Sequence, residues 1–201
     1  MPTRGSQSWL ERALARPDGL DALTADRVEQ CQRMHLALTA ELAQVDARIH
    51  ELAKNNDEIK RLQTIPAVGE RVAVTVHAWV GDVRRFPTAR ALAAYAGLVP
   101  SVHQSAETNR TGGITKDGSK MLRRMLVQAG HVLLWKCQSE QAAPLRALAD
   151  RVHAGRGRRK IAVVAAARHL LKIAYYVLRD GTSYDPTLLR PPRLQAVQPA
   201  A

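Results

Sequence analysis

From Ala25 to Ile65 the chain holds neither proline nor glycine, a run that only a long helix uses well. Positions Val28, Cys31, His35, Leu38, Leu42, Val45, Ile49, Leu52, Asn56 and Ile59 follow one another in alternating steps of three and four. That spacing is a heptad a/d seam, with His35 and Asn56 as polar interruptions that would set register and partner number. A helix of about 35 residues spans roughly 50 Å, a length rarely left solitary. Residues 25–61 therefore read as a coiled-coil helix holding two or more copies together. An antiparallel helix within the chain's own domain is the competing reading. Upstream, Ser8-Trp9-Leu10-Glu11 is a capping box for a short helix ended by Pro17-Asp18-Gly19, so residues 1–24 read as a short helix and linker.

Beyond Pro66 the pattern is again helical. Leu62-Gln-Thr-Ile-Pro-Ala-Val-Gly69 joins the long helix to one through Val72, Val76 and Val80, and a third runs from about Thr88 to Ala96. Helix, tight Ile-Pro-x-Val-Gly turn, helix is the layout of a helix-hairpin-helix element. Pro66 and Gly69 shape such a hairpin, and the free amides at the next helix start can hold a phosphate without reading its base. A plain αα-turn is the alternative. Residues 98–117 read as a polar loop. Helices are expected from about Ser119 to Cys137, from a Ser139 cap to about His153, and from Ile161 to Leu178, the last carrying Ala165-Ala166-Ala167 for close packing. Gly155-Arg-Gly-Arg-Arg-Lys160 is a basic turn, and residues 186–201 read as a disordered tail. No convincing strand is evident. The expected fold is all-α, a long coiled-coil helix followed by a helical domain over 62–185.

Charge then narrows the partner. The chain carries +12, and residues 101–190 hold sixteen Lys and Arg against six Asp and Glu, so +10 of it lies there. A basic excess of this size points to a polyanion, most often nucleic acid, over a merely soluble basic protein. Cys31 and Cys137 share no CxxC or His-rich neighbourhood, which argues against a zinc site or disulfide framework and leaves no metal ligands to name. No apolar run reaches membrane-spanning length, the longest being broken by Arg168 and Lys172, and the amino terminus has no hydrophobic signal core. The expectation is a cytoplasmic protein, nucleoid-associated when bound to DNA, with no membrane partner.

The segment Tyr95 to Arg123 is more specific. Gly97-Leu-Val-Pro100, Ser105, Arg110, Gly112, Ile114, Lys116, Gly118, Leu122-Arg123 and Leu126 fall at fixed spacing. This resembles the carboxy-terminal domain of insertion-sequence transposases of the IS-110/IS-116/IS-902 type, whose pattern is GLxP, a serine, R-x-G-x-I-x-K-x-G and LR-x-x-L. The Ile-Pro-x-Val-Gly turn, Ala167-Arg-His-Leu170 and Tyr175-Tyr176 fit as well, so the resemblance covers about residues 62–185.

The resemblance implies DNA recombination with Ser105 as the nucleophile, forming a covalent link to cleaved DNA. It also implies an element-encoded guide RNA and a RuvC-like nuclease domain whose carboxylates hold a divalent metal such as Mg. Residues 1–61 read as helical and offer no room for that domain, so the expectation is a truncated chain, inactive alone and without a cofactor of its own. The alternatives are a non-catalytic helix-hairpin-helix DNA-binding dimer or an inhibitory relic of such an element. Ala106 stands where the family has Gly after the serine, and Ser101 is the secondary candidate nucleophile. A serine hydroxyl is weak unless activated; His103 and Glu107 flank Ser105 at two-residue spacing, while Arg110, Lys116 and Arg123 could neutralise a phosphate in the transition state. Lys120, Arg124, Arg156, Arg158, Arg159 and Lys160 complete the candidate nucleic-acid-binding set. Arg110 and Lys116 could equally be solvated loop cations.

Overall fold

A computed structural model describes residues 21–105 and 108–189, and of those it leaves the side chains of 102–105, 108–111, 156, 188 and 189 undescribed. The chain forms two compact units, Met1–Arg48 and Ile49–Ala201. The first is occupied, over its described residues, by helix α1 (Ala22–Asn55), which continues into the second. Leu36, Leu38, Leu42 and Val45 on α1 are all exposed.

The expected helix through residue 61 is instead broken at Asn56, which has an extended backbone (φ −121°, ψ 116°). Its side-chain oxygen accepts from the Glu58 and Ile59 amides at 2.9 and 3.1 Å, capping α2 (Asp57–Gln63). Asn56 is thus a helix cap and not a polar seam residue, because its short amide satisfies donors that a straight helix would not expose. Ala53, Ile59 and Leu62 are buried in the second unit's core, so the boundary falls well before residue 61.

The second unit continues with α3 (Glu70–Val80), a 3₁₀ turn (Val83–Arg85), α4 (Ala89–Tyr95), strands β1 (Pro100–Ser105) and β2 (Thr108–Ile114), α5 (Lys120–Trp135), α6 (Ala143–Arg156) and α7 (Arg159–Asp180). The fold is mostly helical, as the periodicity predicts. Thr88 caps α4 through the Ala91 amide at 3.1 Å, and Ser119 caps α5 through that of Leu122 at 3.1 Å. Ser139 opens a short 3₁₀ turn (Glu140–Ala142) without a side-chain cap bond, and α6 begins after it with Pro144 in its first turn. Gly157, in the left-handed region at φ +65°, ends α6. Pro186–Leu189, expected to belong to an unfolded tail, form a 3₁₀ turn.

Helix α7 is the hub, and α2, α4, α5 and α6 all pack against it. Eleven of its residues, among them Val163, Ala167, Leu170, Leu171 and Tyr175, are buried. Gly130 of α5 meets it closely: a Cβ there would lie 2.8 Å from the Val163 carbonyl oxygen and 3.3 Å from the Ala167 nitrogen. Small residues at this crossing let the backbones approach, as the Ala165–Ala167 run suggests. The buried Tyr175 hydroxyl donates to the Phe86 carbonyl at 3.1 Å, tying α7 to the segment before α4.

One expectation is corrected here. At 22 residues, α7 is long and apolar enough to cross a membrane, and the charges of Arg168 and Lys172 do not by themselves exclude it. Its apolar face is buried by neighbouring helices, so its composition is that of a core helix.

Candidate functional site

Residues 98–117, expected as a loop, contain the antiparallel hairpin β1–β2. The Ser, Thr and Gly content conceals these strands, because it lacks the apolar alternation of a half-buried strand. Ser105 ends β1 and pairs with Thr108, the first residue of β2; Ala106 and Glu107 between them lie outside the described residues. His103 pairs with Arg110, which places these two candidate residues across the ladder from one another. The register shifts between Pro100 and Val102, an irregularity near the start of β1.

The base of the hairpin is built by the motif glycines. Gly97 has φ +67°, and a Cβ on it would fall 2.1 Å from the Asp117 carbonyl oxygen. Gly118 has φ +78°, and a Cβ there would fall 1.9 Å from the Tyr95 carbonyl oxygen. Each backbone thus presses where the other motif's side chain would be, at a conformation L-residues resist. Arg123 closes the junction: its Nη1 donates to the carbonyls of Ala96 at 3.1 Å and Asp117 at 3.2 Å. The Gly-Leu-Val-Pro turn, the Lys-Asp-Gly turn and the Leu-Arg helix are therefore one clasp that seats the strand carrying Ser105.

Two further motif residues find their place here. Ser101 Oγ donates to the Gly113 carbonyl at 3.0 Å, and a Cβ on Gly112 would come within 2.5 Å of that Oγ. Ser101 is therefore engaged inside the hairpin. Lys116 is exposed and has φ +59°, a left-handed conformation uncommon for a side-chain-bearing residue. Such strain persists where surrounding structure enforces it, often beside a working site.

The remaining candidate cations sit on other elements. Lys120 and Arg124 are exposed on the first turns of α5, while Arg158, Arg159 and Lys160 are exposed at the α6–α7 junction, where Arg156 ends α6. In the hairpin between α2 and α3, Pro66 is buried and shapes the turn, whereas Gly69 is exposed and starts α3 without a side-chain cap. Ala67 between them has φ +66°. The candidates thus form a clasp under Ser105, an open helix start and a basic turn. Among the described residues there is no group of three or more His, Cys, Asp or Glu able to hold a metal ion.

Residues 59–146 match the transposase IS116/IS110/IS902 family. Over that segment, less than half of the chain, the similarity is to the IS116/IS110/IS902 transposases. It is 39% identical over 89 residues to the transposase for insertion sequence element IS1111A of Coxiella burnetii, covering 44% of this chain and 24% of that protein. It is 29% identical over 182 residues to a probable family 20 transposase of Pseudomonas aeruginosa, covering 90% of this chain and 53% of the relative. It is also 28% identical over 149 residues to the pilin gene-inverting protein of Moraxella bovis, covering 72% and 45%. The chain thus spans about half the length, or less, of these curated relatives. Within the matched segment lie the α2–α3 turn, the clasp and the Ser105 strand. The glycines of the clasp are legible as a motif, but their close backbone approach is not.

Proposed function

We propose that this chain supplies the DNA-recombining domain of an insertion-sequence transposase, with Ser105 as the nucleophile. The observation that carries the reading is the clasp of Gly97, Gly118 and Arg123, which plants the strand ending at Ser105 on the helical core at the family's motif. In the proposed step Ser105 Oγ attacks a phosphodiester phosphorus. Its proton passes to solvent or a base, a new Oγ–P bond forms, and the P–O bond to one flanking deoxyribose breaks. The departing sugar oxygen takes up a proton, so one ester replaces another and the step needs no oxidant or energy donor. Lys116 and Arg110 are proposed to offset charge growing on the phosphate oxygens. Ser101 is less suited to attack, because its hydroxyl already donates to Gly113. Transposition and gene inversion, which the relatives' names give, are proposed for this chain on the same ground.

The partners follow from the surfaces. DNA is proposed to rest on the uncapped α3 start at Gly69 and on the basic turn Arg156–Lys160. A second copy is proposed to cover the α1 seam, because Leu38, Leu42 and Val45 lie exposed at heptad spacing. Leu42→Lys with Val45→Glu should then halve the mass seen by light scattering. A guide RNA, and a divalent metal held by carboxylates of a RuvC-like domain, enter only through the family resemblance.

The test joins a nuclease domain of the family ahead of α1 and looks for a protease-sensitive DNA mobility shift on a denaturing gel. Ser105→Ala should abolish the adduct with binding nearly intact, while Ser101→Ala should leave it. An adduct surviving Ser105→Ala refutes the assignment.

A further inference from the structure

Arg168 and Lys172 stand one helical turn apart on α7, an otherwise apolar helix, and both are half-buried. Arg90 is exposed on α4, which packs against α7, and its charge reaches Lys172. Burial holds the Lys172 amine below the usual lysine range, and repulsion from Arg168 and Arg90 lowers it further. His169 beside them is lowered by burial and by Lys172. Among the described residues none of the three cations has a carboxylate partner, and Arg168 Nε is buried without a hydrogen bond. Gathering like charges at a partly dry surface is unfavourable unless something negative completes it.

We propose that Arg90, Arg168 and Lys172 form a seat for a backbone phosphate of a nucleic-acid strand, separate from the basic turn at Arg156–Lys160. The inference rests on the nucleic-acid reading above and adds a contact surface that the motif does not contain. The chemistry fits: two guanidiniums offer forked donors to phosphate oxygens, and the ammonium adds a compact charge. One turn beyond Lys172, about 6 Å along the helix, Tyr176 exposes its ring. It stands on the same helical stripe as the cations, where a neighbouring base could stack. Arg179, held to Asp180 at 2.6 and 2.9 Å, lies 4.8 Å from that ring's centroid and steadies it.

The test uses the full chain and two fluorescent oligonucleotides, a duplex and a single strand of one sequence. Arg90→Gln with Lys172→Gln should flatten the log–log salt dependence of binding. The expected change is about 0.9 for duplex, or about 0.7 for single strand, for each phosphate that the variant no longer neutralises. Arg158→Gln with Arg159→Gln should flatten it independently, and the two effects should add. In parallel, amine acylation of the unmodified chain, read by mass spectrometry, should label Lys172 and lose that label when oligonucleotide is bound. This arm needs no variant and so does not depend on the folding of one. If the chain binds and only the Arg158/Arg159 variant changes the slope, with Lys172 still labelled, the seat is overturned and the nucleic-acid reading stands. If the chain binds neither oligonucleotide at low salt, both fall. Protection of Lys172 by inorganic phosphate as complete as by oligonucleotide overturns the strand assignment in favour of a free-anion seat.

Discussion

Gly118→Ala offers the sharpest test of the clasp. At φ +78° an alanine costs about 1–2 kcal/mol in the left-handed region. Its Cβ would also lie 1.9 Å from the Tyr95 carbonyl oxygen and 3.0 Å from the carbonyl carbon, atoms of backbone that no rotamer can move aside. Forcing atoms into such a contact adds about 1–3 kcal/mol. Restricting the unfolded chain returns roughly 0.4–1 kcal/mol. The net expectation is a loss of about 1–4.5 kcal/mol. Gly157→Ala is the control, because its φ is +65° but nothing lies within 4 Å of the added carbon. There the unfolded-state gain offsets much of the strain, leaving a loss of about 1.5 kcal/mol or less. Urea unfolding of both variants, followed by far-ultraviolet circular dichroism, gives the comparison. Hydrogen exchange should in addition show faster opening of residues 97–118 in Gly118→Ala. Equal destabilisation by the two substitutions would refute the close approach between the motif segments.

Other perturbations probe the frame around the site. Ala67→Gly removes left-handed strain at φ +66° and loses chain restriction, so the melting temperature should stay level or rise, by up to about 1 kcal/mol of stability; a clear drop would contradict that backbone. Tyr175→Phe strands the Phe86 carbonyl in a buried place and should cost about 1–3 kcal/mol in denaturant unfolding. Tyr184, whose hydroxyl donates to the Gln141 carbonyl at 2.9 Å, has its pKa pushed up to about 12, by burial first and then by the Asp185 charge. Because the folded chain keeps this proton longer than the unfolded one, the contribution is whole below pH 10 and is lost as pH rises toward 12. Tyr184→Phe should shrink the alkaline loss of stability over that window, and an unchanged profile would count against the partly buried hydroxyl.

Much of the helical frame is legible because it is written locally. Thr88 and Ser119 cap the helices that their positions announce, and the valines of α3 and the leucines of α5 fall where their period places them. Asn56 differs because a polar residue in a heptad seam and a helix cap look alike until backbone direction is known. The β1–β2 hairpin escapes sequence reading for another reason. Its Ser, Thr, Gly and Asn residues carry no apolar alternation, so nothing in the sequence marks it as strand. The motif places Ser105, Arg110, Lys116 and Arg123 together on one segment, yet only three dimensions show Arg123 donating to Ala96 and Asp117. The cluster of Arg90 with Arg168 and Lys172 joins residues nearly eighty positions apart, and sequence shows only that two cations interrupt an apolar run.

The decisive atom is the one that takes the phosphate. In the chain joined to a family nuclease domain and incubated with cleavable DNA, nuclease digestion would leave a short nucleotide remnant on the protein. Trypsin then releases Ala91–Arg110, a peptide that holds Ser101, Ser105 and Thr108. Fragmentation mass spectrometry should place the remnant on Ser105. A remnant on Ser101, on Thr108 or on any peptide outside Ala91–Arg110 would contradict the assignment.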